Sequence, residues 1–128
     1  MLTHSPKPTA SELEILHVLW ERGPSTVREV HQALSDKRPI VYTSVLKLMQ
    51  IMTAKGTLRR NEEQRAHVYE AVQPAEKTKR QLALDVLQRV FDGSASQLMM
   101  HALADRKASK EEVDELRRLL NDYERKLR

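Results

Sequence analysis

The sequence predicts a mainly α-helical fold of six helices that is interrupted once by a short β-hairpin. The first observation is composition: 128 residues include three glycines, one phenylalanine and one tryptophan, so the core must be mostly aliphatic residues and methionine. The second is that apolar residues recur three and four apart along most of the chain. The third is that this spacing is lost in one stretch, over residues 57–69.

The first two predicted helices each begin with a capping box, in which a threonine and a glutamate three residues later exchange hydrogen bonds with each other's backbone. The pairs are Thr9 with Glu12 and Thr26 with Glu29. A Gly-Pro dipeptide at residues 23 and 24 separates the two helices. We therefore expect two helices joined by a tight connection.

The third predicted helix follows a turn over residues 36–39 and runs from Tyr42 to Lys55, where Gly56 ends it. Four apolar residues at helical spacing form the side that is expected to face the core: Val45, Leu48, Met49 and Met52. The opposite side is polar and carries Thr43, Ser44, Lys47 and Gln50. The helix is therefore predicted to have one buried and one exposed side.

Two short extended segments, residues 57–60 and 66–69, follow the third helix. The polar stretch 61–64 between them is the predicted turn, although it has no glycine. Three helices followed by such a hairpin is the order of a winged helix-turn-helix. In that fold the last helix before the hairpin enters the major groove of DNA, and the hairpin is the wing.

Charge supports a nucleic-acid interface in the same part of the chain. The net charge is +4, and residues 36–60 hold six cations and one acid. We predict that the polar side of the third helix contacts base edges and that the wing contacts phosphates. The alternatives are a solvated basic face, a packing role for Tyr42, and a phosphate or solvent contact for Gln50. The predicted DNA-binding residues are Tyr42, Thr43, Ser44, Lys47, Gln50, Lys55, Arg59, Arg60 and Arg65.

Pro74 marks the predicted boundary between a DNA-binding domain, residues 1–73, and a helical dimerisation domain, residues 74–128. The second domain is predicted to have three helices. The first covers residues 76–91, and Ser94 caps the second.

The last predicted helix begins with a third capping box, formed by Ser109 and Glu112. Its apolar residues, spaced by three and four, form a seam over two heptads: Val113, Leu116, Leu120, Tyr123 and Leu127. Pairing with a second copy would bury this seam, and packing against the helix at 76–91 is the alternative. A dimer would place its two recognition helices on half-sites roughly 10 base pairs apart in a near-palindromic DNA sequence. The predicted dimerisation residues are Leu87, Phe91, Leu98, Val113, Leu116, Leu120, Tyr123 and Leu127.

Several other classes of protein lack support in the sequence. The absence of cysteine excludes disulfides and thiolate metal sites. The five histidines are scattered, and no glycine-rich phosphate loop is present, so we expect no enzyme, cofactor or metal. No apolar run approaches the roughly 20 residues of a membrane helix, and residues 1–9 lack a hydrophobic signal, so we expect a cytoplasmic protein. A winged-helix module that binds protein is the remaining alternative.

Short stretches at family spacing carry a resemblance that covers nearly the whole chain. They are SELEIL at 11–16, VLWERGP at 18–24, TVREVH at 26–31, VYTSVL at 41–46, KG at 55–56, RAHVY at 65–69 and FDGS at 91–94. In these the chain resembles the penicillinase and methicillin-resistance repressors of the BlaI/MecI/CopY type, which include copper-responsive members.

The resemblance implies a homodimeric repressor of a resistance-type operon. In the beta-lactam branch, a membrane sensor with a zinc protease domain signals antibiotic, and the repressor is then cut in its dimerisation region, here near His101–Ala102. This chain departs from the family at Lys47, often a threonine, at Ile51, often basic, and at Gln64, often a wing glycine. The typical residue pair at the scissile position is not kept. The cysteine cluster of the copper branch is missing.

Overall fold

The computed structural model describes residues 7–128 and, within them, shows six helices and a three-stranded sheet. The predicted mainly helical fold with a winged helix-turn-helix is confirmed. Residues 1–6, which include His4 and most of the segment examined for a signal sequence, lie outside the described residues. The elements are α1 (Ala10–Arg22), β1 (Ser25–Thr26), α2 (Val27–Ser35), α3 (Tyr42–Lys55), β2 (Leu58–Asn61), β3 (Val68–Ala71), α4 (Ala75–Phe91), α5 (Ala95–Ala104) and α6 (Lys110–Lys126).

The described chain falls into two compact units that divide between Leu82 and Ala83, within α4. The N-terminal unit contains α1 to α3 and the sheet, and the C-terminal unit contains α5 and α6. The functional division predicted at Pro74 concerns what each part binds, so it stays a prediction.

Both predicted capping boxes of the N-terminal unit are formed. The backbone N–H of Glu12 donates to Thr9 Oγ1 at 3.2 Å, and that of Thr9 donates to Glu12 Oε1 at 2.9 Å. Thr26 and Glu29 repeat this exchange at 3.2 and 2.9 Å. In each box the threonine and glutamate side chains accept backbone N–H groups that have no partner inside the helix. Such a cap stabilises a helix by about 1 kcal/mol.

The turn between α2 and α3 is fixed at two points. The Nε2 of His31 on α2 lies 2.8 Å from the carbonyl oxygen of Ile40, and its ring contacts the Tyr42 ring edge-on at 5.6 Å. The Arg38 guanidinium holds the Glu14 carboxylate of α1 through two bonds of 3.1 and 2.7 Å. These contacts place the start of α3 relative to the other two helices.

The sheet has strand order β1-β3-β2, and both pairings are antiparallel. In the β2–β3 hairpin Leu58 pairs with Ala71 and Asn61 with Val68. The strand β3 begins at Val68, two residues later than the predicted segment 66–69. The sequence does not predict the strand β1. The longer loop that results is turned by Asn61, whose Oδ1 accepts the backbone N–H of Glu63 at 2.9 Å. This side-chain bond mimics a backbone turn, so the loop does not need a glycine.

The core of the N-terminal unit lies between the three helices and the sheet. Three of the four predicted core residues of α3 are buried, and Leu48 is partly buried against them. Trp20 packs at the edge of this cluster and donates its indole N–H to the carbonyl oxygen of Gln73 at 3.0 Å. The buried apolar residues are Ile15, Leu16, Val18, Leu19, Val27, Val30, Leu34, Val45, Met49, Met52, Leu58 and Tyr69.

The third predicted capping box is formed only in part. Ser109 Oγ accepts the backbone N–H of Glu112 at 3.1 Å, as predicted. The Glu112 carboxylate, however, is bonded by the guanidinium of Arg106 in the preceding loop. An ionic partner has therefore replaced the weaker bond to the Ser109 backbone.

Candidate nucleic-acid interface

The polar side of α3 is not covered by the rest of the described chain. Thr43, Ser44, Lys47 and Gln50 are all exposed, and Ile51 beside them is 40% exposed. At 100° per residue, the five side chains project within about a third of the helix circumference. They form an outer face of α3, defined here as these five residues, that offers hydroxyl, ammonium, amide and apolar groups.

Tyr42, at the start of α3, is 43% exposed and has its ring against His31. Both predicted roles therefore remain open to it: its ring packs, and part of its surface is accessible. It also lines a groove between α3 and the wing.

Most cations of the basic segment 36–60 have carboxylate partners within the protein. Arg59 and Glu70, opposite each other in the hairpin, are 3.0 Å apart. Arg60 bonds Glu62 at 2.8 Å, and a further bond with the Tyr69 hydroxyl raises the pKa of the guanidinium. With Arg38 and Lys55, four of the six cations in this segment are paired. The local excess of positive charge is thus smaller than the sequence predicts.

Lys55 is directed into the protein. Its Nζ lies 2.8 Å from Glu12 Oε2, and the Lys55 side chain is 31% exposed. Its contact with DNA was predicted from its charge and its place on α3. Because its ammonium is engaged by a buried carboxylate, we leave Lys55 out of the residues proposed below to contact DNA.

A groove of about 470 Å³ lies between the wing and the first turns of α2 and α3. Two arginines, Arg28 and Arg65, stand on its rim, and neither has a carboxylate within 4.0 Å among residues 7–128. Arg65 was predicted as a site residue. Arg28 was not, because in the sequence it lies outside the basic segment, in residues 1–35, where four acids outnumber three cations. The groove is lined by Thr26, Val27, Arg28, Tyr42, Leu46, Arg65, Ala66, His67 and Tyr69.

The C-terminal unit has large apolar side chains but no fully buried residue between positions 83 and 128. Leu120 and Tyr123 on α6 are exposed, the former to 68%, and Leu127, directly after α6, is 73% exposed. Leu87, Phe91, Leu98, Val113 and Leu116 are partly buried. Most other large apolar side chains of this unit are exposed as well: Leu84, Val86, Val90, Met99, Met100, Leu103 and Leu119.

Other types of site find no support in residues 7–128. That part of the chain has no group of three histidine, aspartate or glutamate side chains placed to hold a metal ion. It also has no helix with both the length and the apolar character needed to cross a membrane. The peptide bond predicted for cleavage, His101–Ala102, lies within the exposed helix α5.

The fold and the uncovered side of α3 define a winged helix-turn-helix protein. The family model for the penicillinase repressor matches residues 8–122. The chain is 32% identical over 114 residues to the transcriptional regulator BlaI of two Mycobacterium tuberculosis strains, a match that covers 88% of this chain and 82% of the relative. It is 23% identical over 118 residues to a penicillinase repressor of Bacillus licheniformis, with 92% of each chain covered.

The chain belongs to the penicillinase repressor family, which is a family of transcriptional repressors and not of enzymes. The predicted resemblance is therefore confirmed. This protein is a transcriptional repressor.

Proposed function

We propose that the protein represses transcription by binding a near-palindromic operator as a homodimer, with the outer face of α3 in the major groove. The observation that carries this proposal is the exposure of that face in a winged helix-turn-helix. Its exposed side chains are of the types that read base edges.

Base recognition is assigned to the side chains nearest the start and middle of the outer face. Lys47 has no carboxylate partner among residues 7–128, so its ammonium is free to donate to the guanine O6 and N7 acceptors. The hydroxyls of Thr43 and Ser44 can donate or accept, and Gln50 can bond adenine. Ile51 offers an apolar surface that suits a thymine methyl group.

Phosphate binding is assigned to the groove between α3 and the wing. Arg28, on α2, and Arg65, on the wing loop, both line it, so a DNA strand that follows the groove meets two guanidiniums. Arg28 lies in the first turn of α2, where the helix dipole also favours an anion. Arg59 and Arg60 lie on the wing and contribute once their carboxylate partners are displaced or share the charge.

Dimerisation is assigned to the C-terminal unit. Its apolar side chains remain exposed in the single chain, and burying one leucine is worth about 1.5–3 kcal/mol. Clusters of exposed large apolar side chains commonly mark an interaction site. A second copy presents the same seam by symmetry, which makes a two-fold dimer the simplest way to bury it.

The operon and the signal are proposed from the relatives. The names penicillinase repressor and transcriptional regulator BlaI belong to those proteins. For this chain we propose control of a resistance operon in the cytoplasm and release by proteolysis in the C-terminal unit. Because proteases bind extended substrates, the α5 helix around His101–Ala102 must unfold before cleavage.

A DNA titration at several salt concentrations tests the proposal. The probes are a duplex selected by the protein from a random pool and an unselected duplex of the same length. We expect binding of the selected duplex to be at least about 10³-fold tighter and to weaken steeply with salt. Equal binding to both duplexes contradicts the proposal and favours a protein-binding role for the winged domain.

A further inference from the structure

Glu12 is the only aspartate, glutamate, lysine, arginine or histidine among the buried residues of the described chain, with 3% of its surface exposed. A carboxylate in such a place destabilises the fold unless partners compensate for the lost water. Its Oε1 accepts the backbone N–H of Thr9 at 2.9 Å, and its Oε2 accepts the Lys55 ammonium at 2.8 Å. The second partner lies 43 residues further along the chain, at the end of α3.

The bond to Lys55 is not needed for capping, as the second capping box shows. Glu29 makes the same exchange with Thr26, yet its side chain is 45% exposed. Its cationic neighbour, Arg22, is 3.7 Å away and equally exposed. The burial of Glu12 and its pairing with α3 are therefore features added to a capping box that functions without them.

The position of this ion pair joins the first turn of α1 to the last turn of α3. Each charge lies where the dipole of its own helix favours it. The contact at the other end of α3 involves His31 and Tyr42, so α3 is held at both ends. A base-edge hydrogen bond tolerates a displacement of only about half an ångström, so the position of the α3 axis decides whether Lys47 reaches its base.

We propose that Glu12 is a positioning residue for sequence recognition. By holding Lys55, it fixes the C-terminal end of α3 and hence the placement of the outer face against base edges. Lys55 then acts through Glu12 and contacts no phosphate. This inference rests on the proposed operator binding.

The test compares Glu12→Gln with the matched control Glu29→Gln. Glutamine keeps an oxygen for the capping bond but removes the negative charge. The measured quantity is the preference for the duplex selected by the wild-type protein over an unselected duplex. We expect Glu12→Gln to lower this preference by about tenfold and Glu29→Gln to leave it unchanged. Equal preference in Glu12→Gln and the wild type overturns the inference.

Lys55→Met and the double variant provide a second test that leaves the capping bonds of Thr9 intact. We expect Lys55→Met to lower the preference by the same factor and the double variant to lose no more, because both changes remove one interaction. We also expect the salt slope to stay as in the wild type. A slope reduced by about 0.9 means that Lys55 contacts a phosphate, and overturns the inference.

Lys55→Arg, which keeps the pair, is expected to retain the preference. Ile15→Val, a change in the buried core, separates positioning from stability. We expect it to lower the unfolding midpoint without changing the preference, and a loss equal to that of Glu12→Gln overturns the inference. A wild-type protein that has no preference at all contradicts the proposed function instead, so the two failures are distinguishable.

Discussion

At the scale of single residues, the basic side chains divide by whether the protein itself pairs them. Lys55 is held by Glu12, and Arg59 is held across the hairpin by Glu70. Lys47 and Arg65 have no carboxylate within 4.0 Å among residues 7–128. Because an unpaired cation needs no internal bond broken before it binds DNA, we expect the unpaired side chains to dominate affinity.

Replacement of Lys47 by alanine is expected to affect base discrimination. The loss of a bond to a base edge reduces the free-energy difference between the preferred and the other base pairs by about 1–3 kcal/mol at one position of each half-site. Binding of a set of duplexes with single substitutions measures this. Lys37→Ala, which removes an exposed cation from the turn, is the control and leaves the base preference unchanged. Identical profiles for both variants contradict the assignment.

Replacement of Arg28 or Arg65 by alanine is expected to weaken binding to all duplexes alike. Each change removes one phosphate contact, so the slope of log K against log salt falls by about 0.9 in magnitude. Titration of selected and unselected duplexes over a salt series measures both effects. A change confined to the selected duplex would show that these side chains read bases rather than phosphates.

Acid is expected to destabilise the protein through Glu12. Burial alone raises the pKa of this carboxyl, but the bonds from Lys55 and Thr9 and the Lys55 charge together hold it below its usual 4.5. The stabilisation is therefore complete above pH 4.5 and is lost as the pH falls through the lower folded-state pKa. In urea unfolding followed over an acidic pH series, the wild type should lose more stability than Glu12→Gln. Parallel curves would argue against this linkage.

Two other carboxyls, those of Glu14 and Glu29, also have a lowered pKa. The Arg38 guanidinium lowers that of Glu14, and the backbone N–H bond at Thr26 lowers that of Glu29. Both groups are unchanged by Glu12→Gln, so the difference between the two proteins reports Glu12.

The sequence predicts those residues whose role depends on helical phase and fails for those whose role depends on a distant partner. Thr43, Ser44 and Lys47 follow from the side of α3 opposite the apolar residues, and the structure leaves them exposed. A site role for Arg28 is indicated only by the structure, in which residues of α2 and of the wing line the same groove. The pairing of Lys55 with Glu12 spans 43 residues, and no local pattern indicates it.

At the scale of elements, α3 is the best predicted because its signals are local. Its bounds, Tyr42–Lys55, agree with the prediction, and Gly56 ends it with a left-handed backbone of φ 87°. The sheet is less predictable. The strand β1 is two residues long and exists only through its pairing with β3, so its sequence contains no period to detect.

Replacement of Gly56 by alanine is expected to cost about 1 kcal/mol of stability. No atom lies within 4 Å of an added Cβ, so the cost comes only from the left-handed backbone. Urea unfolding measures it, and Gly56→Asn is the control, since asparagine tolerates this conformation better than alanine. Unfolding free energies equal to the wild type for both variants would mean that the end of α3 readjusts.

At the scale of the whole molecule, the two units differ in how far a single chain can complete them. The N-terminal unit has a closed core of aliphatic residues, methionines and Tyr69. The C-terminal unit has none of the fully buried residues of the described chain. Heptad spacing in the sequence predicts the seam. It does not show what covers the seam, because the proposed partner is a second molecule.

Replacement of Leu120 by aspartate is expected to produce monomers. The change places a charge in the proposed dimer seam, where its desolvation opposes association. Asn121→Asp, which adds the same charge at a position about 100° around α6, is the control and should remain dimeric. Analytical ultracentrifugation measures the mass of each variant. An unchanged dimer in Leu120→Asp places the interface elsewhere.

In the proposed function, a dimer presents two copies of α3, whose outer faces read the base sequence. Selection of DNA from a random duplex pool is the most direct test of this proposal. The prediction is an enriched near-palindrome with half-sites about 10 base pairs apart, in which Lys47→Ala loses the preference at one position of each half-site. A pool without enrichment after repeated selection, or an enriched sequence that Lys47→Ala and the wild type read identically, would contradict it.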